Sequence, residues 1–122
     1  MYSSFTEMPV WQKSLETSKL IFEMSLNLPR SEDYGLTSQI RRAANSVSAN
    51  IAEGFGRNGN KDKINFYIVA RGSAFETQSH IHYGITVGYF NNNDTMPILD
   101  KYNQIIHEIN KVIYNIRDKL NA

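Results

Sequence analysis

The chain has 122 residues, 41% of them hydrophobic and 20% charged, an ordinary mix for one soluble globular domain with one modest core. Thirteen Lys and Arg against twelve Asp and Glu leave a net charge of +1, so the molecule as a whole is not a polycation built for nucleic acid. The absence of cysteine excludes disulfides, thiolate zinc sites, iron–sulfur clusters and a thiol nucleophile. Residues 1–10 lack a basic stretch followed by an apolar run, and no apolar run approaches the length of a membrane span, so a cytoplasmic protein with no membrane association is expected.

Periodicity predicts four helices and no strands. The first covers about residues 10–28, with Trp11, Leu15, Ser18, Phe22 and Ser25 as its inward side and Pro29 as its stop. The second, about 36–53, has the clearest repeat: Leu36, Ile40, Ala43, Val47, Ile51 and Gly54 recur at threes and fours, with Gly54 read as a left-handed cap. The third, about 61–88, follows a cap at Asn58 or Asn60. It places Ile64, Tyr67, Ile68, Phe75, Ile81, His82 and Ile85 on one side, with Gly72 and Gly84 implying close approach or a bend. The fourth, about 95–120, is capped by Asp94 or Thr95 and repeats Leu99, Tyr102, Ile106, Ile109, Ile113, Ile116 and Leu120. Four helices with short connections give an all-α, antiparallel up-down-up-down bundle comprising a single domain, residues 1–122.

Chemistry is sparse. Gly54-Phe55-Gly56-Arg57-Asn58-Gly59 spells a dinucleotide fingerprint, but that motif needs a preceding strand, and a helix precedes it here. No Glu-x-x-His pair projects inward to hold a metal, His82 reads as a core-edge residue, and no serine is placed with a histidine to act as a nucleophile. No cofactor, metal or catalytic residue is assigned.

Charge is uneven. Between Tyr34 and Gly72 six cations face two carboxylates, whereas the rest of the chain holds seven against ten. Arg41, Arg42, Arg57, Lys61 and Lys63 are therefore the candidate phosphate contacts. Arg42, Asn50, Glu53, Arg71 and Gln78 border the core and are expected to form a polar network in which Glu53 pairs with Arg42 or Arg71. Asn45, Ser48, Ala49 and Ala52 on the second helix, with Phe66, Val69, Ala70 and Ser73 on the third, form a second, small-residue side. A lone bundle does not need one, so these residues are the expected oligomer interface.

The motif Pro29-x-x-Glu32-x-Tyr34-Gly35-Leu36-Thr37-x-Gln39-Ile40-Arg41-Arg42-Ala43, continued by Ser46-Val47-x-x-Asn50-Ile51-Ala52-Glu53-Gly54-x-Gly56-Arg57 and Ala70-Arg71-Gly72-Ser73-x-x-Glu76, resembles a known signature. It is that of the four-helix bundle family encoded in intervening sequences of 23S ribosomal RNA genes, the S23-type family. That family includes the accessory variability determinant of diversity-generating retroelements. The resemblance implies a non-enzymatic homopentamer with RNA or nucleoprotein partners, such as a reverse transcriptase. The retroelement branch is strongly basic, which +1 is not. Two functions are thus expected: an RNA- or nucleoprotein-binding accessory protein, or a self-assembling scaffold that binds only a protein partner.

Overall fold

A 3₁₀ turn, Phe5–Glu7, leads into α1 (Pro9–Ser25) in the computed structural model, which describes residues 1–121. The turn is closed by a capping box. Ser4 Oγ accepts from Thr6 N at 3.2 Å, and Glu7 Oε1 accepts from Ser4 N at 3.0 Å. Pro9 then starts α1 where its missing N–H is harmless. After a second 3₁₀ turn, Arg30–Glu32, come α2 (Leu36–Gly56), α3 (Asn60–Thr86) and α4 (Asn92–Asn121). No strand occurs among the described residues.

The ends of these helices are set by local caps, one of them braced from far along the chain. Glu32 Oε1 accepts from Leu36 N at 3.0 Å, capping α2, while Tyr89 OH donates to the other oxygen at 2.8 Å. The two bonds hold the Glu32 carboxyl below its usual range. The left-handed residue is Gly88, not Gly54: its φ of 87° turns the chain after α3, and Tyr89 N returns to Gly84 O at 2.8 Å. α3 follows Gly59 with no side-chain cap, instead of Asn58 or Asn60. α4 begins three residues before the expected start because Asn91 caps it, accepting from Asp94 N at 2.8 Å and donating to the Asp94 carboxylate at 2.8 Å.

α2 packs most extensively on α3, α3 on α4 and α1 on α2, and α4 returns to α1 to close the bundle. The α2 stripe is buried as the repeat predicts, from Leu36 through Ile40, Ala43, Val47 and Ile51 to Gly54. On α1 the buried line is Val10, Ser14, Thr17, Ile21 and Ser25, whereas Leu15 and Phe22 are 45% and 48% exposed. On α3 it is Ile64, Tyr67, Ala70, Ser73, Ala74, Thr77, Ile81 and Gly84, with Phe75 and His82 at the surface.

Gly54 stays inside α2 because Tyr67 lies on it: a Cβ there would sit 2.8 Å from the buried ring. Around Gly72 the space is open. Gly54→Ala is therefore expected to destabilise by about 1–2 kcal/mol, overpacking outweighing alanine's helix preference. Gly72→Ala should instead stabilise by roughly 0.5–1 kcal/mol. Urea unfolding of the two variants checks the opposite signs.

Candidate functional site

The five cations expected to contact phosphate do not converge. Arg41 lies over Phe22, 4.5 Å from the ring centroid, and its Nε donates to Ser25 Oγ at 2.7 Å. Arg42 donates to Gln39 Oε1 at 3.1 Å and pairs with Glu76 on α3. Arg57 lies over Phe66 at 4.5 Å, between Glu53 at 3.3 Å and Asp62 at 3.7 Å. Lys63 donates to the Gly54 and Phe55 carbonyls at 3.2 and 2.7 Å, satisfying the end of α2. Lys61 is exposed. Fifteen residues of helix separate Arg42 from Arg57, about 22 Å at 1.5 Å per residue, so two cations stand near one end of α2 and three near the other.

The expected polar network is likewise several separate pairs. Glu53 bonds to Arg57, not to Arg42 or Arg71. Arg71 donates to Asn110 Oδ1 at 2.8 Å; Gln78 donates to Leu99 O at 3.3 Å and Asn103 Oδ1 at 2.7 Å. Both therefore lie on the α3–α4 seam, away from Glu53. Asn50 turns back to Ser46 O at 2.8 Å. His80 meets Glu76 at 3.1 Å, so Glu76 is shared between His80 and Arg42. Lys13 joins α1 to α4 through Glu108 at 2.9 Å. No local spacing could have announced these partners, which lie 34 and 95 residues apart.

The expected interface divides. Ser48, Ala70 and Ser73 are buried inside the protomer and cannot meet a neighbour, because α2 and α3 approach closely enough to cover them. Asn45 and Ala49 are exposed, Val69 is 51% exposed, and Ala52 and Phe66 are half-buried. Leu15 and Phe22, expected inside, join this outward side from α1. They wall a groove of about 710 Å³ between α1 and α2, lined also by Lys19, Arg41, Arg42 and Asn45. A shallower hollow of about 470 Å³ follows, lined by Ala49, Ala52, Glu53, Gly56 and Arg57. One face thus runs from Leu15 and Phe22 across Asn45, Ala49 and Ala52 to Phe66 and Val69, its apolar and small residues interleaved with Glu16, Lys19, Arg41, Arg42, Glu53 and Arg57.

Among the described residues, no three His, Asp or Glu side chains gather where a metal ion could bind. No helix of the described residues is long and apolar enough to cross a membrane.

The family model for the 23S rRNA-intervening sequence protein matches residues 6–111. The chain belongs to that family. The matched span contains the whole outward face. The chain is also similar to a crystal structure of a protein of unknown function from the S23 ribosomal protein family of Bacteroides thetaiotaomicron VPI-5482. The TM-score is 0.76 at 25% identity, over 85% of this chain and 97% of the other. No curated protein matches this member of the family.

Proposed function

We propose that this family member is a non-enzymatic, cytoplasmic subunit that works by assembling with copies of itself through the α1–α2–α3 face. The observation that carries the reading is the outward side of α2. Asn45, Ala49 and Ala52 leave it nearly flat, and the half-exposed Leu15, Phe22 and Val69 flank it. Small residues let a neighbouring helix come close, and the flanking side chains supply the apolar area that holds it. A closed ring satisfies such a face on every copy, and five copies is the number the family resemblance implies. The cations are divided between two ends of α2, with Arg42 and Arg57 paired to carboxylates and Lys63 bonded to carbonyls, which favours this scaffold over an RNA-binding accessory protein.

Sedimentation velocity tests it. The parent should run as one particle several protomers in mass. Ala49→Glu/Ala52→Glu, which forces two carboxylates into the contact, should weaken association by on the order of 100-fold or more. An unchanged particle would remove the face from the claim. One feature favours a second reading, RNA or nucleoprotein association: α3 starts uncapped beside the exposed Arg57 and Lys61. Structured RNA that sediments with the particle at low salt and departs at moderate salt would establish that reading. RNA sedimenting alone under both conditions would remove it.

A further inference from the structure

We propose that the turn before α2 is the knob of this assembly, and that Tyr34 of one copy seats in the α1–α2 groove of the next. The inference rests on the assembly reading above and names the segment that fills the groove. Tyr34 is 99% exposed, so its ring buries no surface in its own protomer. Its backbone is nonetheless held firmly. Asp33 N bonds to Arg30 O at 3.1 Å, Gly35 N to Glu32 O at 2.9 Å, and the Glu32 carboxylate is tied to Leu36 N and Tyr89 OH. A rigid amphipathic ring presented on an ordered turn loses little entropy on docking.

The groove suits that knob in shape and charge. Leu15 and Phe22 give it apolar walls, and its volume of about 710 Å³ is ample for a tyrosine with its flanking backbone. With Arg42 held by Glu76, Lys19 and Arg41 still outnumber Glu16 along its lining, while Glu32 and Asp33 precede the tyrosine. Asp33 is exposed, so its charge is available to a neighbour. Knob and groove are different surfaces of one chain, so the contact can run head-to-tail, the kind that closes rings.

The test uses the full chain. Tyr34→Ser should raise the dissociation constant for self-association about tenfold or more, whereas Tyr34→Phe, which keeps the ring, should stay within about threefold. Circular dichroism should show equal helix content in both. Because the chain contains no cysteine, an engineered pair is unambiguous. Asp33→Cys mixed with Ser18→Cys, the latter a groove residue, should oxidise chiefly to the mixed disulfide. If Tyr34→Ser assembles like the parent, or the mixture gives only a statistical set of products, the knob is wrong. Should Ala49→Glu/Ala52→Glu still dissolve the particle in that case, the assembly reading survives without it. A parent that stays monomeric at high concentration overturns both.

Discussion

Ile21→Ala is expected to lower the unfolding free energy by about 3–4 kcal/mol, while Phe22→Ala, one residue away on α1, should lower it by less than about 1 kcal/mol. Ile21 is wholly buried in the core cluster, so truncation removes three buried carbons and leaves a cavity that the surrounding helices close only in part. Phe22 is the larger side chain but is 48% exposed, with the Arg41 guanidinium 4.5 Å from its ring centroid. Truncating it loses a cation–π contact and little transfer energy. A domain of this size has total stability on the order of 5–15 kcal/mol, so the first variant should shift the urea midpoint markedly and the second barely. Dilute protein is needed, because the Phe22 change should register in self-association instead. Equal losses from the two variants would mean that α1 is turned the other way.

That contrast also marks the limit of what the sequence discloses. The four-helix class is readable because α2 and α4 bury aliphatic residues at regular threes and fours, and Ile40, Val47, Ile51, Tyr102, Ile109 and Ile113 lie where that repeat puts them. On α1 the same reasoning follows bulk: Ser25 is buried and Trp11 packs on the core as expected, but Leu15 and Phe22 turn outward. The inward line there is largely hydroxyl-bearing: Ser14 donates to Val10 O at 2.7 Å, Thr17 to Lys13 O at 2.7 Å and Ser25 to Phe22 O at 2.7 Å. A hydroxyl that bonds its own helix backbone no longer needs water, so these residues pack as small apolar ones despite their polar composition. Ser48 and Thr77 behave alike, bonding Asn45 O and Ser73 O. The error on the expected interface has the same origin, since Ser48 and Ser73 read as surface residues and lie inside.

Site residues were less legible than the fold because ion pairs are decided by which helices become neighbours. The excess of cations between Tyr34 and Gly72 is a property of the chain, but Glu76 of α3 meets Arg42 only once the two helices stand side by side, whereas Arg57 pairs locally with Glu53, four residues before it, and with Asp62, five after. Lys63 is claimed by carbonyls that exist as acceptors only because α2 ends there. By contrast, the small residues Ala49 and Ala52 could be recognised directly, since a surplus of small side chains beyond the inward stripe is visible in helical phase alone.

Stability should fall steeply above pH 10, and Tyr102 should be a principal cause. Its side chain, on α4, is fully buried, its hydroxyl approaches Thr77 without forming a hydrogen bond of good geometry, and burial outweighs that contact and pushes the phenol well above its ordinary value. Burial also raises Tyr67. In the unfolded chain both phenols titrate near 10. Below that pH they are protonated in both states, and folding is indifferent to the proton. Above it the unfolded chain loses protons that the folded chain retains, so stability declines by up to about 1.4 kcal/mol per pH unit for each such tyrosine. Tyr102→Phe should reduce that slope by about 1 kcal/mol per pH unit, leaving Tyr67, and Tyr89 through its bond to the Glu32 carboxylate, to supply the remainder. At neutral pH the same variant should lie within about 1 kcal/mol of the parent, because the deleted hydroxyl approaches only Thr77, whose own proton goes to Ser73 O. Urea midpoints at pH 9, 10 and 11, read beside tyrosinate absorbance, test both halves. An alkaline slope unchanged by Tyr102→Phe would assign the lost stability to other groups, and a larger loss at neutral pH would mean that the hydroxyl finds a partner in solution.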